Sequence, residues 1–278
     1  MTIKNRGKSI EAILKNIEGL LNSSDELIVV DSLSKIDPAA FMKKYRKLVN
    51  VYISEPDISP THAFNKGIML ARGKYIKNIS DDDIIYPEAM EKAIKVLGKN
   101  KDIDLLICGG SKMIGRNIRQ VYVPPGIEYG KNYEDFFNYG ACGVGFITRR
   151  SSIPLIGLYP SRVSSDVAYA LQSLERGGKV RFCRVNLFVH KVKANSTIIK
   201  NSKFAERDSY ELMKQYCSAK FYYTFRIKNY LKSRFRMFRS SVERSPLLRV
   251  LLFPIRVVMI KKNLGTKMPI LRWDGDFS

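Results

Sequence analysis

Acidic residues are scarce in this chain: 26 Asp and Glu stand against 48 Lys and Arg, for a net charge of +22. Such a balance suits a polyanionic partner, whether nucleic acid, an anionic membrane surface or a phosphate-rich substrate, and carries no information about the fold. Cysteines are few and scattered. Cys108, Cys142, Cys183 and Cys217 form no C-x-x-C pair, so neither a zinc site nor a disulfide framework reads from their spacing. Reduced thiols in a cytoplasmic protein are the expectation. The opening Met-Thr-Ile-Lys-Asn-Arg lacks the apolar stretch of a signal peptide. No run approaches ~18 uninterrupted apolar residues, so no spanning helix is expected. The longest apolar stretch, residues 246–260, carries Arg249 and Arg256 and is split by Pro254. There is no internal repeat and no low-complexity tract. A hydrophobic fraction of 45% excludes wholesale disorder, and 278 residues suffice for one large domain with an appendage.

What is present is an alternation. Ile10, Ile13, Leu14, Ile17 and Leu21 recur at helical spacing. Leu27-Ile28-Val29-Val30, ending at Asp31, reads as a buried parallel strand. Pro38 opens a second helix through Phe41, Tyr45 and Leu48. Strands follow at residues 51–53, 75–79 and 103–108, with helices at 61–70 and 87–97 between them. Strands alternating with helices predict an α/β fold, a mostly parallel sheet flanked by helices. In such sheets ligands bind beyond the carboxyl ends of the strands, where Asp31, Glu55, Asp57 and the run Asp81-Asp82-Asp83 stand. After about residue 110 the pattern loosens. A short helix at 133–139, a glycine-rich loop at 140–146 entering a strand, a helix at 166–175 and one or two strands at 180–189 are expected.

Several of these residues carry chemistry. Three consecutive carboxylates repel one another, and a divalent cation on oxygen ligands removes that repulsion; a solvated turn with Asp83 as a helix cap is the competing reading. Asp31 is a turn aspartate or a ligand contact. Gly143 and Gly145, with Gly140, permit close backbone approach to a ligand, or form only a tight turn. Asp166 opens a helix after Ser164 and Ser165, as a cap or as a base. His190 ends a strand as a structural histidine or a ligand.

The order of these features along the chain is similar to a known family. Residues 54–68, Ser-Glu-Pro-Asp-Ile-Ser-Pro-Thr-His-Ala-Phe-Asn-Lys-Gly-Ile, resemble a block of the family-two inverting glycosyltransferases, in which an acidic turn leads into an Ala-x-Asn-Lys-Gly helix. Residues 71–87, Ala-Arg-Gly-Lys-Tyr-Ile-Lys-Asn-Ile-Ser-Asp-Asp-Asp-Ile-Ile-Tyr-Pro, look like that family's strand, acidic metal motif and proline-led helix. The resemblance covers about residues 2–197. It implies a Rossmann-like A-type nucleotide-sugar fold. It also implies Asp31, Asp57, Asp81 and Asp82 on the nucleotide sugar, and Asp82, Asp83 and His190 on Mn²⁺ or Mg²⁺. Gly143 and Gly145 would form the acceptor loop, with Asp166 as the base. Three departures stand out. Ser80 takes the first acidic position of the metal motif, which leaves Asp82 as the direct ligand. Ser165 replaces the Glu usual before the base. Thr2-Ile3-Lys4-Asn5-Arg6 keeps only the end of the family's first strand.

The expected reaction is inverting, metal-dependent transfer from a nucleotide sugar, a UDP-sugar first, to a glycan or lipid-linked acceptor, in cell-surface polysaccharide synthesis. Two alternatives compete. One is a nucleic-acid-binding protein, against which stands the lack of any recognised nucleic-acid motif. The other is an inactive relative serving as a scaffold. Residues 1–199 are assigned to the catalytic domain and 200–278 to a basic, aromatic-rich helical extension. Between residues 220 and 262 there are 12 Lys and Arg and one Glu, 12 − 1 = +11, half the chain's excess. Phe221, Tyr222, Tyr223, Phe225, Tyr230, Phe235 and several leucines are interleaved with them. This composition describes a segment lying on an anionic membrane without a spanning helix, with a nucleic-acid groove and a solvated helical tail as the competing readings. The resemblance implies the membrane, at its cytoplasmic face.

Overall fold

A computed structural model describes residues 1–4, 10–80, 83–114, 117–122, 128–129, 132–192 and 202–244. The described residues fall into two compact units, one ending at Ala219 and the other beginning at Lys220.

The first unit is built on two sheets. In the smaller, β1 (Thr2–Ile3), β2 (Ile28–Asp31) and β3 (Val51–Ser54) run parallel in the order β1-β2-β3. Here the sequence reading holds closely. The continuous apolar run Ile28-Val29-Val30 is buried on both faces, as parallel strands between helices are. Helices α1 (Ile10–Glu18), α2 (Pro38–Tyr45) and α3 (Pro60–Leu70) separate these strands and the next. In α1, Ile10, Leu14 and Ile17 are buried on one face, and each such side chain contributes about 1.5–3 kcal/mol. Ser59 caps α3, accepting a hydrogen bond from the His62 N–H at 3.1 Å, and Pro60 fills the first turn.

The larger sheet is mixed. Strands β4 (Tyr75–Lys77), β5 (Asp83–Ile85), β6 (Leu105–Ile114), β9 (Phe146–Arg149) and β10 (Val180–Val192) lie in the order β4-β9-β6-β10-β5. Between them in sequence, β7 (Asn117–Tyr122) pairs with β6 and β8 (Glu128–Tyr129) with β10. Among the described residues of this sheet, β6 and β10 pair in parallel and the other pairings are antiparallel. A parallel bridge between Thr2 and Ser80 joins the two sheets. Successive rows ending at Ser54, Asp31, Ile3 and Ser80 therefore lie side by side, and their carboxyl ends share one edge.

The remaining helices are α4 (Pro87–Lys99), α5 (Asp135–Asn138), α6 (Ile153–Ile156), α7 (Ser165–Glu175), α8 (Ser202–Tyr216) and α9 (Ala219–Arg244). Composition assigns α8 to the basic extension, but it belongs to the first unit. Leu212 is buried with the α7 residues Ala168, Tyr169 and Leu171. Ser164, just before α7, donates its N–H to Asp208 of α8 at 2.8 Å, and its hydroxyl donates to the Ala205 carbonyl at 3.1 Å.

Candidate active site

The family-like block at residues 54–68 works by fastening loops. Asn65 of α3 clamps Tyr159 through both ends of its amide, donating to the Tyr159 carbonyl at 2.8 Å and accepting its N–H at 2.9 Å. Lys66 holds the acidic turn, with its ammonium 2.8 Å from Glu55, 2.9 Å from Asp57 and 2.7 Å from the Pro56 carbonyl. Asp57 also accepts a short hydrogen bond from the Ser32 hydroxyl. The turns after β2 and β3 are thereby tied together.

Asp31 closes β2 with no exposed surface. Its carboxylate accepts the Ser34 N–H at 3.1 Å, the Tyr52 hydroxyl at 2.8 Å and the Ser54 hydroxyl at 3.2 Å. Burial, reinforced by Asp31, raises the Tyr52 phenol well above its ordinary range. Asp31 thus shapes the turn after β2.

Asp81 and Asp82 lie outside the described residues. Asp83 is described. It has no exposed side-chain surface. Its Oδ2 accepts the Ser80 N–H at 3.0 Å and the Ser80 hydroxyl at 2.5 Å; its Oδ1 lies 2.8 Å from His190 Nδ1. Register places His190 of β10 directly opposite Asp83 of β5. A carboxylate can only accept, so Nδ1 donates, and in the neutral ring Nε2 keeps its lone pair. That Nε2 is buried and has no hydrogen-bond partner among the described residues. A carboxylate orienting a histidine whose other nitrogen is free is the arrangement found behind metal ligands. The residues present therefore fit a divalent ion at His190, with Asp83 acting through the ring. Among the described residues no group of three His, Cys, Asp or Glu gathers on its own to hold one.

Asp166 stands in the first turn of α7 and accepts the Gly143 N–H. A Cβ at Gly143 would stand 2.6 Å from its Oδ1. One at Gly145 would stand 2.5 Å from the Cys108 carbonyl. Both glycines allow close packing within the protein, with Asp166 seated against the first. Burial raises the Asp166 carboxyl above its usual range and nearby Asp83 adds to this, while the Gly143 N–H, His190 and Lys77 oppose it.

Sequence reasoning missed Lys77. At the end of β4 it donates to the carbonyls of Asn78, at 3.0 Å, and Val144, pinning the glycine loop to the strand that leads into the acidic run. Burial lowers its ammonium to about 8 against the pull of Asp83 and Asp166. Its place between Ile76 and Asn78, at the end of a three-residue strand, was no signal of this role. Asp83, His190 and Lys77 thus all lie close enough to Asp166 to act on its charge, and Asp31 and Asp57 form a second group beyond the ends of β2 and β3.

A parallel βα ribbon joined to a mixed sheet, with acidic residues at its carboxyl edge, defines an A-type nucleotide-sugar fold, and solved structures share it. The chain superimposes on Staphylococcus aureus TarS, solved with UDP-GlcNAc, with a TM-score of 0.62 at 16% identity over 77% of this chain and 63% of that one. A mannosyltransferase of Pyrobaculum calidifontis, solved with GDP-Man and Mn²⁺, gives a TM-score of 0.59 at 16% identity over 93% and 79%. Residues 1–155 match the model of glycosyl transferase family 2, and the chain belongs to that family. Similar proteins include an uncharacterized glycosyltransferase of Methanocaldococcus jannaschii, 31% identical over 99 residues, and one of Rickettsia prowazekii, 30% identical over 111 residues. These matches take in 33% and 40% of this chain and 34% and 35% of the relatives' own lengths.

Proposed function

We propose that this chain transfers a sugar from a nucleotide-sugar donor, a UDP-sugar before others, to a hydroxyl of a glycan or lipid-linked acceptor, inverting the anomeric carbon. The observation that carries the reading is the Asp83–His190 pair, with Nε2 left without a partner among the described residues, beside an Asp166 seated against Gly143. Mn²⁺ or Mg²⁺ held by His190 and Asp82 supplies, when bound, positive charge to the diphosphate leaving group.

The protein's own groups do the rest. Asp166 accepts the proton of the acceptor hydroxyl as that oxygen forms its bond to the anomeric carbon. On the opposite face the bond from that carbon to the diphosphate oxygen breaks, and the electron pair leaves with the diphosphate. Lys77 keeps the glycine loop in register with Asp166 and adds fixed positive charge between the carboxylates. Asp31 and Asp57 set the turns that wall the nucleotide pocket. The solved neighbours carry two different donors, UDP-GlcNAc and GDP-Man, so the fold accommodates either base. Cell-surface polysaccharide synthesis is the process this chemistry suits.

Thermal unfolding against a panel of nucleotide sugars, each with and without Mn²⁺, tests the reading. One or more should raise Tm only when metal is present, because a ligand bound by the folded state alone stabilises it. A flat response to every nucleotide sugar would reject it.

A further inference from the structure

Helix α9 carries a second, separate feature, which does not depend on the reaction. Its 26 residues extend about 39 Å at 1.5 Å per residue. Tyr222 is buried, and Phe221, Phe225, Asn229 and Ser233 are half-buried, all on one side of the helix. A different face holds Tyr223, Ile227, Tyr230, Leu231 and Phe235, at spacings of four, seven, eight and twelve from the first. Each is more than half exposed, from 54% at Phe235 to 62% at Tyr223. Lys220, Lys228, Lys232 and Arg234 are exposed beside this stripe. Arg234 donates to the Tyr230 hydroxyl at 3.0 Å and lies 5.5 Å from its ring centre, so a cation and a phenol share one spot. Among the described residues no helix is long and apolar enough to cross a membrane.

Three occupants would suit an exposed apolar stripe, and charge chooses among them. A second copy would bring another segment of +11 against the first, and like charges repel. A nucleic-acid backbone would satisfy the cations, but Ile227 and Leu231 have no base to stack on. An anionic lipid surface satisfies both sets: aliphatic side chains enter the acyl boundary, tyrosines sit at headgroup level, and lysines reach the phosphates. We infer that α9 lies in the plane of an anionic membrane, with the Tyr223–Ile227–Leu231–Phe235 face buried in it.

Co-sedimentation of the full chain with vesicles of phosphatidylcholine, alone or mixed with phosphatidylglycerol, tests this. Binding is expected to the mixed vesicles, with release in high salt and little binding to the neutral ones. The triple variant Ile227→Ser, Leu231→Ser, Phe235→Ser should lose roughly tenfold or more in partitioning with an unchanged Tm. Phe235→Trp should show a blue-shifted emission on adding mixed vesicles. Several results would overturn the inference: equal binding to neutral vesicles, or triple-variant binding at the wild-type level. A lowered Tm in the triple variant without change in vesicle binding would mean the face is covered within the chain. Conversion of a dimer to a monomer would assign the stripe to a second copy. Binding of a short RNA with no vesicle binding would assign the cations to nucleic acid.

Discussion

Asp166 and Lys77 share the interior of the site, and burial moves each toward its neutral form. The Asp166 carboxyl titrates above its usual range, and the Lys77 ammonium titrates near 8. A base must be ionised, so turnover should rise with pH only above the ordinary carboxylate range. The charge on Lys77 disappears as pH rises through about 8, so turnover should fall again there. A rate profile of this shape is expected for the wild type, and Lys77→Met should lower its plateau by ~10-fold or more and remove the alkaline limb. The sign for stability is opposite. A lysine with a lowered folded pKa costs stability while charged in both states, a cost fully present below about 8 and relieved as pH climbs toward its ordinary 10.5. Lys77→Met should therefore not lower Tm at pH 7, and a clear drop would show that its bonds to the loop dominate. Asp166→Asn keeps shape and removes basicity; turnover should fall ~10² or more while calorimetry finds donor affinity unchanged. Normal turnover in that variant would put the base elsewhere.

At the scale of elements, the start of α7 is the critical junction, because Asp166 sits in its first turn. Asp208 of α8 holds that start, accepting the Ser164 N–H at 2.8 Å and pairing with Arg162 at 2.8 Å. Asp208→Ala should lower kcat by several-fold with little change in donor affinity, and reduce stability by about 1–3 kcal/mol in denaturant unfolding. A change in donor affinity alone would mean that α8 serves the nucleotide end instead. This junction shows where sequence reading stops. β2, β3, α3 and α4 were legible because each declares itself locally, by an apolar run, a helical period or a proline at the first turn. β5 was not: the last residue of the acidic run and the two that follow it become a strand only because β10 pairs with them. β7 and β8 likewise depend on distant partners. The site was half legible for the same reason. The acidic run, Asp166 and His190 stand out as residue types at strand and helix ends. The Asp83–His190 pair, the seat of Asp166 against Gly143 and the loop bond from Lys77 are contacts across the fold, which no spacing reveals.

Over the whole molecule, charge is divided. Half of the +22 lies between residues 220 and 262, whereas the first unit carries Asp83, Asp166 and the buried His190 Nε2, which has no hydrogen-bond partner among the described residues. Membership of glycosyl transferase family 2 fixes the class of fold, and the matched portion of the relatives leaves donor, acceptor and metal to be measured. The most direct measurement is release of nucleoside diphosphate from the nucleotide sugar that most stabilises the purified full chain, followed in Mn²⁺ and in EDTA. The expected result is steady release in Mn²⁺, none in EDTA, and none under either condition from His190→Ala. Release undiminished by EDTA, or a wild-type rate from His190→Ala, would contradict the proposed metal-assisted transfer at this site.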